Sequence, residues 1–177
     1  MIQAIASRIR TVPDFPQPGI SYKDITPLIE EGEALHAATD ALHKATEHLV
    51  YDRILSAEAR GFVFGTALAY RARKGLILAR KPNKLPRETI SASYDLEYGT
   101  DTLEAHADSF SENSRVLVAD DLLATGGTAR AMCELVENAG GTVAGVAFVI
   151  ELGYLGGRDR LAPYETVSLI NYATPDE

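Results

Sequence analysis

The chain has 177 residues and a formal net charge of −8, with 17 Lys and Arg against 25 Asp and Glu. Its hydrophobic fraction of 46% and charged fraction of 24% are typical of one globular domain, residues 1–177, and exclude a disordered, collagen-like or repeat protein. The negative charge disfavours a nucleic-acid partner, and no apolar run approaches the about 20 residues of a membrane span. We therefore expect a cytoplasmic protein without membrane contact, and the single Cys133 excludes an internal disulfide.

Apolar runs and helical periodicity alternate along the chain, which predicts the order of its secondary structure. In chain order, the predicted elements are a helix over 35–49, a strand over 53–57, a helix over 61–73, strands over 75–79 and 115–119, a helix over 128–139, and strands over 142–150 and 166–170. The run at 116–119 is apolar at every position, as in parallel sheets that helices cover on both faces. The pattern predicts an α/β fold with an open, mainly parallel twisted sheet flanked by helices.

A basic segment, residues 71–87, is unusual in this acidic chain because it contains no Asp or Glu. Its seven basic residues are Arg71, Arg73, Lys74, Arg80, Lys81, Lys84 and Arg87. The predicted strand over 75–79 leads directly into the cations that begin at Arg80, and ligands of open α/β sheets bind beyond the carboxyl ends of the strands. The segment therefore indicates an anion site, although a solvated helix end followed by a basic loop would give the same pattern.

Residues 116–128, with the sequence VLVADDLLATGGT, combine a strand, two acids and a small-residue turn that enters a helix. The turn over 124–128 can present consecutive backbone N–H groups at a helix N-terminus, where the dipole favours a bound monophosphate. No Lys follows the glycines, so the turn is not a Walker loop, and it lacks the glycine spacing of a dinucleotide fingerprint. Asp120 and Asp121 would accept hydrogen bonds from the vicinal hydroxyls of a ribose. The motif predicts a ribose 5-phosphate site, and the alternative is a strand end with two capping acids.

The string at 116–128 resembles the signature of the type I phosphoribosyltransferases, which use phosphoribosyl diphosphate. Further segments, in the right order along the chain, are similar to the members of that family that act on adenine: 13–20, 23–27, 58–62, 80–86 and 93–99. The resemblance extends along nearly the whole chain. It implies the type I phosphoribosyltransferase fold and the transfer of a 5-phosphoribosyl group from phosphoribosyl diphosphate to adenine, giving AMP and diphosphate in purine salvage.

Individual residues take expected roles from the positions that they match in that family. The ribose and its 5-phosphate would be bound by Asp120, Asp121, Ala124, Thr125, Gly126, Gly127 and Thr128. The diphosphate would be bound by Arg60, Arg80, Lys81 and Lys84. Adenine would be bound by Ser21, Tyr22, Lys23 and Leu122, and Glu97 would be the catalytic acid near the purine N7, accompanied by Tyr98. The resemblance also implies Mg²⁺, bound mainly through diphosphate and ribose oxygens, and a homodimer.

Two segments would enclose the reaction. Residues 1–30 match the family's N-terminal hood over the base, where backbone groups around Ser21 and Lys23 would read the hydrogen-bonding edge of adenine. Residues 87–107 match a flexible loop that closes over the site and excludes water. That loop contains Glu97, and Glu104 is a second candidate for the acid.

Two other functions remain compatible with a phosphoribosyl diphosphate site. A relative acting on hypoxanthine or xanthine would be expected to carry a different N-terminal hood. A regulator that senses phosphoribosyl diphosphate and binds nucleic acid would need an added module or a broad basic face. Outside residues 71–87 the chain has 10 basic and 25 acidic residues, which favours an enzyme over such a regulator.

Overall fold

The computed structural model describes residues 2–96, 99–175 and 177. Within these residues the helices are α1 (Ile2–Ala6), α2 (Thr26–Glu30), α3 (Gly32–Thr46), α4 (Gly61–Ala72) and α5 (Gly127–Asn138). The strands are β1 (Arg10–Pro13), β2 (Ser21–Asp24), β3 (Arg53–Ala57), β4 (Gly75–Ala79), β5 (Thr89–Leu96), β6 (Gly99–His106), β7 (Arg115–Leu123), β8 (Thr142–Leu152) and β9 (Thr166–Tyr172). Short 3-10 turns cover Ala107–Ser109, Gly153–Leu155 and Gly157–Leu161. No helix in the described ranges has the length and apolar character that crossing a bilayer requires.

The centre of the described structure is a parallel sheet with the strand order β4, β3, β7, β8, β9. Helices flank this sheet, so the predicted α/β fold class is confirmed. The strand β7 extends beyond its predicted end because it stays paired with the longer β8, with Asp120 opposite Phe148 and Leu122 opposite Ile150. Asp120 and Asp121 therefore lie in the last part of a strand, and not in the turn that follows it.

Two apolar clusters cover the two faces of the sheet. Val136 of α5 is buried in the first cluster, and Phe64 of α4 is buried in the second. Gly65 lets α4 approach β3 closely, because a Cβ at this position would lie 2.0 Å from Ser56 Oγ. This close packing fixes the N-terminus of α4 at the carboxyl edge of the sheet.

Residues 87–107, expected to form a flexible loop over the site, contain an antiparallel ribbon formed by β5 and β6. Ala92 of β5 and Leu103 of β6 are buried in the cluster that contains α5, whereas Ser93 is exposed. This alternation is that of a half-buried strand. Local pattern does not predict these two strands, because their outward Ser and Thr positions resemble those of a polar loop.

The N-terminal segment, expected to form a hood, contains a β1–β2 hairpin between α1 and α2. Ile5 of α1 is buried in the second apolar cluster. Lys23 of β2 is only 2% exposed, and its Nζ donates to Thr11 Oγ1 at 3.0 Å and to the Pro175 carbonyl at 3.1 Å. The residues after β9 therefore lie against the hairpin.

Candidate active site

A cavity of about 470 Å³ lies at the carboxyl ends of β3 and β7. It is lined by residues 58–61, which lead from β3 into α4, and by residues 120–129, which lead from β7 into α5. In open α/β sheets this edge is where the loops of neighbouring parallel strands converge on a ligand. All seven residues expected to bind the ribose phosphate line the cavity, as do Arg60 and Leu122.

Asp120 lies where α4 meets β7. A Cβ on Gly61 would lie 2.3 Å from Asp120 Oδ1, so only glycine leaves room for this carboxylate. The same oxygen accepts a hydrogen bond from the backbone N–H of Asp121 at 2.9 Å. Burial, and then the neighbouring Asp121 carboxylate, raise the pKa of Asp120 well above its ordinary value. A ligand hydroxyl that donates a hydrogen bond to Asp120 would stabilise its charged form.

Arg60 links three segments of the chain at the edge of the cavity. Its Nε lies 2.6 Å from Asp121 Oδ2, and the Asp121 residue is only 6% exposed. Its Nη1 donates to the hydroxyl of Tyr22, and its guanidinium lies 5.6 Å from the centroid of the Tyr22 ring. The ion pair and the ring contact bring the N-terminal hairpin to the sheet edge that carries the two acids.

The turn over 124–128 connects β7 to α5. Gly126 has a φ of +84°, a left-handed conformation that favours glycine, and Gly127 begins the helix. The first N–H groups of a helix have no acceptor within that helix. Those at the start of α5 are therefore available to an anion in the cavity that residues 124–129 line.

Residues 80–84, which follow β4 and include Arg80, Lys81 and Lys84, form a cationic turn. Glu58 holds the start of this turn beside the cavity. Arg80 Nε donates to Glu58 Oε2 at 2.7 Å, and the backbone N–H of Lys81 donates to Glu58 Oε1 at 2.9 Å. Burial alone would raise the pKa of Glu58, but the donors from Lys81 and Arg80 outweigh it and lower that pKa. Lys84 is exposed, and its carbonyl accepts a hydrogen bond from Arg80 Nη1 at 3.3 Å. Arg80 and Lys81 are thus fixed next to the cavity although they do not line it.

The rest of the basic segment is also partly neutralised by acids from other segments. Further ion pairs join Lys81 to Asp101, Arg71 to Asp40 at 2.7 Å, and Arg87 to Asp108 at 2.8 Å. The segment is therefore not a bare positive surface, because four of its seven cations are held by carboxylates outside it: Arg71, Arg80, Lys81 and Arg87.

The expected adenine-binding residues divide into two groups. Leu122 lines the cavity, and Tyr22 reaches its edge through Arg60. The side chains of Ser21 and Lys23 contact the end of the chain instead, since Ser21 Oγ donates to the Pro175 carbonyl at 2.6 Å and Lys23 Nζ lies 4.5 Å from the centroid of the Tyr172 ring. The role expected for their backbone groups is unaffected by these contacts and stays a prediction.

The expected catalytic acid Glu97 and its neighbour Tyr98 lie outside the described residues. The second candidate, Glu104, has a different set of contacts. Its backbone pairs with that of Arg80 in both directions, at 2.8 and 2.7 Å, and its carboxylate accepts a hydrogen bond from the N–H of Asn83 at 3.1 Å. Glu104 therefore stabilises the cationic turn.

Sequence reasoning assigned no role to Glu58 and Gly61, although both stand in the 58–62 segment that carries the resemblance. Glu58 follows a predicted strand and so could have been identified by its position at the sheet edge. Gly61 lies in a helix and must be glycine because Asp120, 59 positions away in the chain, leaves no room for a Cβ there. No local sequence pattern indicates such a contact.

Comparisons with known proteins identify the family of the chain. A family model for the phosphoribosyl transferase domain matches residues 29–174. An adenine phosphoribosyltransferase of Rubrobacter xylanophilus is 70% identical over 175 residues, which make up 98% of this chain and 95% of that protein. A crystal structure of adenine phosphoribosyltransferase from Thermoanaerobacter pseudethanolicus has 48% identity and a TM-score of 0.95, covering 97% of this chain and 100% of that chain. A structure of the Trypanosoma brucei enzyme in complex with AMP, pyrophosphate and ribose-5-phosphate has 25% identity and a TM-score of 0.87, covering 96% and 78% of the two chains. The chain therefore belongs to the phosphoribosyl transferase family and, within it, to the adenine phosphoribosyltransferases.

Proposed function

We propose that the cavity between residues 58–61 and 120–129 is where this chain transfers the 5-phosphoribosyl group from phosphoribosyl diphosphate to adenine, giving AMP and diphosphate for purine salvage. The observation that carries the proposal is the juxtaposition of two carboxylates, Asp120 and Asp121, with the amide turn over 124–128 in one cavity. Carboxylates accept hydrogen bonds from a vicinal diol, and helix N-terminal amides bind a monophosphate. A ribose 5-phosphate has both groups on one small molecule.

The diphosphate of the donor would lie on the side of the ribose opposite to the 5-phosphate. Arg60 lines the cavity, and Glu58 fixes Arg80 and Lys81 beside it. Cations held in place before the reaction stabilise charge that develops on a leaving group without having to reorganise. Together with the exposed Lys84, these residues are assigned to the diphosphate.

The reaction exchanges one bond at C1 of the ribose for another. The bond from C1 to the diphosphate oxygen breaks, and its electron pair leaves with diphosphate, while the N9 lone pair of adenine forms the new bond to C1. Positive charge builds on the sugar and negative charge on the leaving group in the transition state, and the proton of the purine must be transferred. Glu97, near N7 of the base and with Tyr98 beside it, is assigned to the transfer of that proton.

Adenine is assigned to the space between the hairpin and the cavity. Tyr22 would pack on the purine ring and Leu122 would cover its other face, while backbone groups around Ser21 and Lys23 read its edge. The contact of Tyr22 with Arg60 supports this placement, because it puts an aromatic ring beside a residue assigned to the donor. Residues 1–30 would thus form the base-binding hood, and the ribbon within 87–107 would cover the site.

The reaction is expected to require Mg²⁺. Carboxylate oxygens are the donors that this cation prefers, and Asp120 and Asp121 place such oxygens in the cavity, so the donor set fits. In the described part of the chain, no three His, Cys, Asp or Glu side chains are grouped to hold a metal ion. The two acids would therefore contact the hydration shell of an ion held mainly by diphosphate and ribose oxygens. When bound, the ion would neutralise charge on the diphosphate.

We further propose that the protein is a cytoplasmic homodimer.

A panel of purine bases tests the assignment. The protein is incubated with phosphoribosyl diphosphate and Mg²⁺, with adenine, hypoxanthine, guanine or xanthine or with no base, and diphosphate release and the nucleotide product are measured. Release with adenine and formation of AMP are expected. Release with hypoxanthine and not with adenine would overturn the base assignment. Binding of phosphoribosyl diphosphate without release for any base would instead favour a regulator.

A further inference from the structure

The 3-10 turn Gly157–Leu161 packs directly against the back of the 124–128 turn. A Cβ on Gly157 would lie 2.1 Å from the Ala124 carbonyl oxygen and 2.9 Å from the Gly126 nitrogen. A Cβ on Gly126 would in turn lie 2.6 Å from the Gly157 carbonyl oxygen. The two backbones are in contact with no side chain between them, so the position of one sets the position of the other.

Arg158, the next residue, anchors this 3-10 turn to the sheet. Its Nε donates to Glu151 Oε1 at 2.9 Å, and its Nη2 pairs with the other oxygen of the same carboxylate. Its Nη1 donates to the Thr166 carbonyl at 2.7 Å, and its Nη2 also donates to Ser168 Oγ at 3.1 Å. Arg158 therefore ties the turn to both β8 and β9.

The ion pair with Glu151 is not an ordinary surface contact. Glu151 lies in β8 and is only 4% exposed, and Ser168 Oγ donates a third hydrogen bond to its carboxylate at 2.5 Å. The hydrogen bond from Arg158 lowers the pKa of Glu151 against the opposing effect of burial. Removing one partner of such a pair leaves the other charge buried and unpaired, so the remaining structure rearranges. Leu161, at the other end of the turn, is buried in the first apolar cluster with α5.

We infer that Arg158 is a positioning residue for the 5-phosphate of the donor. Through its ion pair with Glu151 it holds Gly157 behind the 124–128 turn, and so fixes the backbone amides that would bind the phosphate. The inference rests on the proposed function, because that function assigns the phosphate to this turn. Arg158 acts through Gly157 and need not contact the substrate. Replacing it should therefore weaken binding of the phosphate more than binding of adenine.

The test compares Arg158→Met with Arg71→Met. Arg71 is a matched control because its side chain is 50% exposed against 46% for Arg158, and it forms an ion pair with Asp40 without lining the cavity. Binding of ribose 5-phosphate is measured by calorimetry, and the KM for adenine is measured at saturating phosphoribosyl diphosphate. We expect Arg158→Met to raise the Kd for ribose 5-phosphate by about 10- to 100-fold, as for a displaced site backbone, with the adenine KM within about twofold of wild type. Arg71→Met should leave both unchanged.

Four further variants keep the test decisive if Arg158→Met is poorly folded. Arg158→Lys retains the charge and should recover part of the lost affinity. Glu151→Gln should weaken ribose 5-phosphate binding to a similar degree, and the double variant Glu151→Gln with Arg158→Met should be no worse than either single change, because both remove one interaction. Gly157→Ala retains the ion pair but places a methyl group against the Ala124 carbonyl, and should also weaken binding.

Failure of the inference and failure of the proposed function give different results. If the wild-type protein does not bind ribose 5-phosphate, the phosphate assignment itself is wrong. If the wild type binds it and the folded Arg158 and Gly157 variants bind it equally well, the positioning role is wrong and the proposed function stands. If ribose 5-phosphate affinity and thermal stability both fall in Arg158→Met and the adenine KM rises with them, the ion pair is a general stabilising contact and the inference is also overturned.

Discussion

Arg60 Nε lies 2.6 Å from Asp121 Oδ2, so a cation assigned to the diphosphate is paired with an acid assigned to the ribose. The two groups would bind adjacent parts of one donor molecule. Each therefore helps to orient the other, and binding of the ribose and of the diphosphate should be energetically coupled.

Asp121→Asn tests this coupling. The amide keeps the size of the side chain but removes the charge that faces Arg60 and the acceptor strength that a diol needs, so the KM for phosphoribosyl diphosphate should rise by about 10- to 100-fold. Asp40→Asn, which removes the partner of Arg71, is the control and should leave that KM unchanged. Combining Asp121→Asn with Arg60→Lys should cost less than the sum of the two single changes. Additive losses would mean that the two residues act independently.

Gly61→Ala should displace the Asp120 carboxylate, because the new Cβ would lie 2.3 Å from Asp120 Oδ1. We expect weaker binding of ribose 5-phosphate by about tenfold or more, and a loss of stability of about 1–3 kcal/mol from overpacking. Gly32→Ala is the matched control, since a Cβ there meets nothing within 4 Å at the start of another helix. Calorimetry and urea unfolding measure the two effects. If a folded Gly61→Ala protein binds ribose 5-phosphate as well as the wild type does, Asp120 does not take part in binding the sugar phosphate.

Much of the sheet and most of its helices could be predicted from local pattern. The predicted strands over 53–57 and 75–79 match β3 and β4 at both ends, because each is a short, largely apolar run between charged residues. The ribbon of β5 and β6 was missed, since only one of its faces is buried and its outward positions are polar. The turn over 124–128 that leads into α5 was also predicted, because its small residues and the start of the helix are a local signal.

The parts of the site that depend on distant contacts could not be predicted in this way. The support that Gly157 gives to the 124–128 turn joins residues about thirty positions apart, and nothing in the string around Gly157 indicates it. The partial neutralisation of the basic segment also depends on tertiary pairing, as with Arg80 and Glu58. Sequence charge counts give the number of cations in a segment but not their partners.

Glu97 and Glu104 should respond differently to the same substitution. Glu97→Gln is expected to lower kcat by about 100-fold, as for the loss of one transition-state partner, with donor binding retained. Glu104→Gln keeps an acceptor for the Asn83 N–H and should change kcat by less than about fivefold. Steady-state kinetics with adenine and phosphoribosyl diphosphate distinguish them. A wild-type kcat in Glu97→Gln together with a large loss in Glu104→Gln would transfer the catalytic role to Glu104.

The raised pKa of Asp120 should make the stability of the folded protein depend on pH. Burial and the Asp121 carboxylate raise its pKa in the folded state, so the folded protein binds more protons than the unfolded chain between the two pKa values. The contribution of Asp120 to stability therefore declines as pH rises through that window and is constant above it. Asn does not titrate, so Asp120→Asn should be more stable than wild type by an amount that grows as pH rises through that window, while binding ribose 5-phosphate more weakly.

Urea unfolding between about pH 4 and pH 8 measures this difference. Asp52→Asn, at an exposed position, is the control for replacing an aspartate by asparagine outside the site. A stability difference for Asp120→Asn that shrinks as pH rises would contradict the raised pKa.

Lys23 should matter for the base and not for the donor. Its buried ammonium donates to Thr11 Oγ1 and to the Pro175 carbonyl, and so holds the β1–β2 hairpin against the end of the chain. The same hairpin carries Tyr22, which is assigned to the purine ring. Lys23→Met leaves these acceptors without their donor, which should lower the free energy of unfolding by about 1–3 kcal/mol and raise the adenine KM several-fold.

The exposed Lys44 supplies the control, because Lys44→Met changes the same charge on α3 and should alter neither quantity. The Kd for ribose 5-phosphate should be unchanged in both variants, since Lys23 Nζ donates to Thr11 and to the Pro175 carbonyl, which do not line the cavity. Lys23→Arg should recover part of the adenine affinity by restoring a cation to the same acceptors. If Lys23→Met lowers stability but leaves the adenine KM at the wild-type value, the hairpin's position does not determine how the base binds.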